Sequence, residues 1–362
     1  MSERSQKFSH LYAHLKKHWV TLSFILGFLS DFLMLNRIDS LFDQLIELTY
    51  SIITAVAILL FYVGVAERWG PRTSRFLRDY MPEVIQFTLG GVLSGMFIFY
   101  GRSGDWINGL PFLLIILFVV FGNELVHKRS DRLVFHIATF YIAIFSYVVL
   151  LLPIVFGVMG DIMFLLSGFV SLILITILIQ LLYRIIPNFL RVNIRRIILV
   201  IGVIYISFNS LYFTSSIPPI PLSLNKLEIA QSVTKVDDGS YRVVMETAPW
   251  WTELPFIHPT LHLSDGSLSC FARVYAPARF NTEIFHRWEH KDANGTWIQK
   301  ARIQYPISGV NRNGYRGYTT ITATDNGLWR CNVETARGQI LGRTTVNVQL
   351  GGAVRGLVTQ TE

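Results

Sequence analysis

Ile197-Ile198-Leu199-Val200-Ile201-Gly202-Val203-Ile204-Tyr205-Ile206 runs on to Phe213, and then the chain breaks into Ser215-Ser216-Ile217-Pro218-Pro219-Ile220-Pro221-Leu222. The first stretch, with its continuation, approaches the roughly 20 apolar residues that cross about 30 Å of hydrocarbon. The second cannot continue a helix, because its three prolines fix φ and remove backbone donors, and it reads as a stiff, extended connector. The two sides of this boundary follow different rules.

Upstream, further apolar stretches lie near Val20–Leu35, Ile46–Ala66, Glu83–Tyr100, Trp106–Val126, Leu133–Val155 and Ile162–Tyr183, which with Ile197–Phe213 makes seven expected spans. The first is the shortest. The N-terminal segment 1–19 and the second, fourth and sixth connections together hold 15 Lys and Arg, whereas the other three connections hold only Arg37 and Arg102. By the positive-inside rule this places the N-terminus in the cytoplasm and, with an odd number of spans, the C-terminal domain outside. The basic residues 1–19 lead into a span without a small-residue cleavage site, so the first span is expected to be the export signal.

Composition agrees: 51% of residues are hydrophobic and 15% charged, too apolar for a soluble chain of this length. The net charge of +8 is accounted for by basic loops facing anionic headgroups. A nucleic-acid surface would need that charge on one folded face with interleaved aromatics, so none is expected.

Downstream, short β-branched and aromatic runs (Tyr241–Met245, Leu268–Tyr275, Ile284–His290, Trp297–Tyr305, Gly317–Ala323, Leu328–Glu334, Leu341–Val348) alternate with turn signals such as Asp265-Gly266, Asn294-Gly295 and Arg337-Gly338. That spacing predicts an all-β sandwich over 227–350, joined by the 215–226 connector to the 20–214 helical bundle and followed by a flexible tail over 351–362. Both cysteines, Cys270 and Cys331, fall in the exported part, where a disulfide is expected.

Asp325-Asn326-Gly327-Leu328-Trp329-Arg330-Cys331 resembles the immunoglobulin strand-F signature, with Asp325 and Gly327 at the corner and Trp329 where that family has Tyr. Trp288 lies between the cysteines as a core tryptophan would, although 18 residues after Cys270 is a long spacing. A tryptophan also lacks the hydroxyl of the tyrosine corner.

The connector Ile217–Leu222, His286-Arg287-Trp288, and the run from Gly317 through Trp329-Arg330-Cys331-Asn332-Val333-Glu334-Thr335 to Gly342 resemble the bacterial family catalogued as domain of unknown function 2914. Asp31–Asp43 is similar to the segment that opens the membrane half of its multi-span members. The resemblance implies a bacterial inner-membrane protein with a periplasmic β domain. It transfers no activity or catalytic residue.

Ionisable residues at membrane depth suggest a pathway or site by default. Asp31, with Arg37 and Asp39 one to two turns on, is either an ion-binding latch or, as favoured, a structural pair near the interface. Glu124 and His127, with His136 across a short loop, form a candidate relay weighed against interfacial pairing with Lys128, Arg129 and Arg132. Asp105 and Asp161 suit helix N-termini, and Gly90-Gly91 with Gly95 suits close helix packing. His286, Trp288 and His290 share one strand face, but the two imidazoles stand about 13 Å apart, too far for one ion. His258 and His262 have no thiol or carboxylate at ligand spacing, so no metal and no cofactor is expected.

With no catalytic motif present, no enzyme is expected. The reading favoured is a recognition module for a periplasmic protein or envelope glycan, tethered to the lipid bilayer. A transporter or channel in the spans and a sensor signalling to a separate cytoplasmic protein remain as alternatives.

Overall fold

The computed structural model describes residues 26, 29, 41–102, 110, 114, 129–217, 222–237, 239–247, 257–276, 282–307, 314–352 and 356–362. The chain divides into two compact units, a helical one ending at Ile217 and a β-rich one over Pro218–Glu362.

Five helices of the first unit are long and apolar enough to cross a membrane: α1 (Leu41–Val65), α2 (Pro71–Arg102), α3 (Arg129–Phe156), α4 (Asp161–Ile185) and α5 (Pro187–Phe213). Five such helices are found among the described residues, not seven. Of the expected spans Val20–Leu35 and Trp106–Val126, all but residues 26, 29, 110 and 114 lie outside them. Pro187 opens α5, where its missing N–H is not needed. Pro153 is accommodated inside α3, which stops at Gly157 in a left-handed conformation (φ 69°). The helices are joined by aromatic stacking, Phe145 on Phe208 at 4.5 Å and Phe164 on Tyr212 at 3.7 Å between ring centroids. Tyr212 also donates to Asp161 Oδ1 at 3.2 Å, at the start of α4.

Eleven strands are described in the β unit: β1 (Ser223–Ala230), β2 (Ser232–Lys235), β3 (Tyr241–Glu246), β4 (Thr260–Leu263), β5 (Ser267–Tyr275), β6 (Thr282–Lys291), β7 (Trp297–Ile307), β8 (Tyr315–Thr322), β9 (Gly327–Thr335), β10 (Ile340–Leu350) and β11 (Leu357–Thr361). They form a three-stranded sheet β1-β5-β8, a five-stranded sheet β4-β10-β9-β6-β7 and a second three-stranded sheet β11-β3-β2. All pairings are antiparallel except β4 with β10.

The first two sheets share one core of Ile229, Leu261, Leu263, Leu268, Cys270, Trp288, Trp329, Cys331, Val346 and Val348. The third packs Val233 and Val243 on Phe271, which faces away from that core on β5. Residues 351–362 are not simply a tail. Leu357–Thr361 pairs with β3, and the Glu362 carboxylate bonds Lys226 and Arg273.

Candidate functional site

The Cys270–Cys331 disulfide joins β5 to β9 across the two sheets, with Cα atoms 6.5 Å apart. Trp288, directly opposite Cys331 in the β6–β9 register and fully buried, belongs to the same core. Trp329 corrects an expectation. It lacks a hydroxyl, yet its indole Nε1–H donates to the Asp325 carbonyl four residues back at 2.9 Å. Gly327 between them has φ 118°, a conformation that favours glycine. Trp329→Phe removes the donor and retains most of the ring, so it should cost about 1 kcal/mol in denaturant unfolding.

His286 is buried beside the bridge. Trp288 Nε1–H donates to Thr319 Oγ1 at 3.1 Å, and the same oxygen lies 2.9 Å from His286 Nδ1. A ring nitrogen of His286 and the two cysteine sulfurs fall within 4.8 Å of one another. While the sulfurs are bonded to each other they are not metal ligands. Sequence reasoning considered His286 only with His290, whose Nε2 sits 3.2 Å from the Asn326 carbonyl while its ring lies against Trp329. Burial pushes the His286 imidazole down from 6.5 to about 3. The unfolded chain is therefore the better proton binder below about pH 6.5, and stability should fall from there toward pH 3 by on the order of 1.4 kcal/mol per pH unit from this residue. His286→Gln should flatten that part of a stability–pH curve.

The opposite face of β7-β6-β9-β10 carries a charged lattice. Arg287 pairs with Glu289 at 2.6 Å and Glu334 at 2.8 Å, Arg302 pairs with Glu334 at 2.7 Å, and Arg330 pairs with Glu289. Asn332 Nδ2 donates to Glu289 at 2.8 Å. Arg302 lies 3.8 Å from the Phe285 ring centroid and Arg330 4.1 Å from that of Trp297. Register adds Arg343, opposite Asn332, and Lys291 beside Trp297. Both carboxylates are buried beneath the guanidinium groups, with side chains 5% and 3% exposed, while those of Arg287 and Arg302 are 24% and 33% exposed. Burial raises the Glu289 carboxyl, but the hydrogen bonds from Arg330 and Asn332 and the charge of Arg287 outweigh it and hold the group below the usual carboxylate range. Among the described residues the lattice thus sets five cations around two sunken anions. The alternation in Arg287 and Glu289, and in Arg330, Asn332 and Glu334, was visible in the sequence. What hid the site was the register that brings the strands together.

In the helical unit, His136 is buried, its Nδ1 3.4 Å from the Tyr62 hydroxyl and its ring against Phe61. Its proposed relay partners Glu124 and His127, and the trio Asp31, Arg37 and Asp39, lie outside the described residues. His262, expected without a carboxylate, has Nδ1 3.0 Å from Glu246 Oε2. The sequence reading missed the buried face of α1, which holds Asp43, Gln44, Glu47, Ser51 and Thr54. Its four-residue polar spacing inside an apolar stretch was the available signal.

Residues 281–348, covering most of β6 through β10 and hence the whole lattice, match the family described as protein of unknown function (DUF2914). No curated protein matches. Similar solved structures include two of a β-glucosidase from Listeria innocua, one with laminaribiose and one with isofagomine, at 15% and 12% identity and TM-score 0.19. They cover 36% and 37% of this chain, which spans only 16% and 17% of theirs. A third is the Pseudomonas fluorescens alkylpurine DNA glycosylase AlkC bound to DNA, at 11% identity and TM-score 0.20, covering 81% of this chain and 76% of that one. At these scores none informs fold or function.

Proposed function

We propose that this chain is a bacterial inner-membrane protein whose C-terminal domain is an immunoglobulin-like recognition module that docks an acidic envelope protein. The Arg-rich outer face of β7-β6-β9-β10 is the observation that carries the reading. Arginine and aromatic side chains are enriched at interface centres, and here Phe285, Trp297 and five cations share one sheet face over two buried carboxylates. The excess positive charge steers an anionic partner and sets its register. Pairing among the lattice members holds the guanidinium groups in place before binding, which lowers the ordering cost of association.

The membrane location is supported by the helical surfaces. Val192, Ile198, Leu199, Val203 and Ile206 on α5 and Ile162 and Phe169 on α4 are 56–84% exposed, an apolar area that a water-soluble protein does not leave open. The immunoglobulin-like reading is supported by the bridged facing sheets, the buried Trp288 and the corner hydrogen bond of Trp329.

Photocrosslinking probes at Gln304 and Thr345 in the full-length chain, in living cells, test the docking face. One acidic protein should be captured at both positions, and Arg343→Glu should reduce its yield about tenfold. Capture of a glycan instead, or equal capture from a probe at Thr320 on the other sheet, would contradict the assignment.

A further inference from the structure

The link from α1 to α2 and the first turns of α2 carry four arginines, Arg68, Arg72, Arg75 and Arg78, and they fall into two pairs. Arg68 donates to the Arg184 carbonyl at 2.5 Å, and Arg78 pairs with Glu67 at 2.9 Å. Arg72 and Arg75 make no ion pair or hydrogen bond among the described residues. Both instead line a groove of about 310 Å³ with Pro71, Phe76, Asp79 and Tyr80. The three- and four-residue spacing of 72, 75, 76, 79 and 80 puts these side chains on one face of the helix. The rings of Phe76 and Tyr80 lie 4.7 Å apart between centroids, and both are exposed, as is Trp69 just before the helix.

α2 is longer than a bilayer core requires. Its 32 residues rise about 48 Å, against about 30 Å of hydrocarbon. Tyr80 and Tyr100 stand about 30 Å apart along the axis, so with Tyr100 at one boundary Tyr80 marks the other, a depth at which tyrosine is enriched. Arg75 then stands about 8 Å beyond that boundary and Arg72 about 12 Å, and their long side chains reach the headgroup layer. A guanidinium binds phosphate oxygens through two parallel N–H bonds. Asp79, between the two arginines around the helix, accepts hydrogen bonds and donates none when ionised. The groove therefore suits a ligand that carries a phosphodiester and hydroxyl donors, and two cations against one carboxylate leave one net positive charge to meet its single negative one.

We infer that this groove is a binding site for one anionic phospholipid of the phosphatidylglycerol type. The phosphodiester sits between Arg72 and Arg75, a headgroup hydroxyl donates to Asp79, and the rings of Phe76 and Tyr80 cover the glycerol backbone and the first methylenes. The inference rests on the membrane reading above and gives the helical unit a specific lipid partner, separate from the docking face of the β domain.

The test is native mass spectrometry of the full-length protein, delipidated in detergent and titrated with phosphatidylglycerol, phosphatidylethanolamine or the soluble headgroup glycerophosphoglycerol. One phosphatidylglycerol should be held about tenfold more tightly than phosphatidylethanolamine. The double variant Arg72→Gln/Arg75→Gln should lose that preference, whereas Arg195→Gln, an exposed arginine on α5 outside the groove, should keep it. In Asp79→Asn the preference for phosphatidylglycerol over phosphatidylmethanol, which has no headgroup hydroxyl, should vanish. Equal retention by wild type and the double variant, an equal loss in Arg195→Gln, or a hydroxyl preference that survives Asp79→Asn overturns the site. Displacement of the lipid by an equal concentration of glycerophosphoglycerol would make it a site for a soluble phosphodiester and overturn the lipid assignment. A protein that does not insert into liposomes overturns the membrane reading and the site with it, whereas one that inserts and shows no lipid preference dependent on Arg72 and Arg75 overturns the site alone.

Discussion

Replacing Cys270 and Cys331 together with alanine should lower the unfolding free energy of the β unit by about 4 kcal/mol. The bridge closes a segment of 61 residues, and the chain-entropy cost of that loop is what the crosslink removes from the unfolded ensemble. Both half-cystines are fully buried among Trp288, Leu268 and Val348, so alanine in both positions also loses a little packing. Urea unfolding of the full-length protein in detergent, followed by tryptophan fluorescence, reads the difference. A midpoint unchanged between wild type and the double variant would mean that the core between the sheets holds without the bond.

The second large effect concerns Glu334. Its carboxylate takes one bond from Arg287 and one from Arg302, so Glu334→Ala leaves two guanidinium groups facing each other around a cavity. Removing one partner of a buried pair costs about 3–5 kcal/mol. The partial exposure of both arginines screens part of that, and about 2 kcal/mol is expected. Arg302→Ala should cost much less, because Arg287 still neutralises the carboxylate and the lost side chain is a third exposed. Equal costs for the two substitutions would contradict the picture of a sunken anion under replaceable cations.

Much of this architecture was legible from patterns one element at a time. The Pro-rich break after Phe213 marked the boundary, and five apolar stretches emerged as α1 to α5. Glycine turns separated the runs that became β3 and β5 to β10. Strands β1, β2, β4 and β11 escaped because they are short or weakly patterned, and β11 exists only through pairing with β3, which lies more than 100 residues away in sequence. The same reason hid the charged lattice. Arg287, Arg302 and Glu334 meet only through the β7-β6-β9 register. At Trp329 the sequence reading weighed only the missing hydroxyl and not the indole N–H, which donates to the Asp325 carbonyl.

The central claim, that the helical unit spans the membrane and presents the β domain on the side opposite the basic loops, is tested most directly by a reporter fused after Glu362 that is active only in the periplasm. Beside it, the same fusion carries a reporter active only in the cytoplasm. Periplasmic activity alone is expected, from a membrane fraction that resists alkaline extraction. Cytoplasmic activity alone would contradict the orientation, and with it the oxidised bridge and the envelope partner.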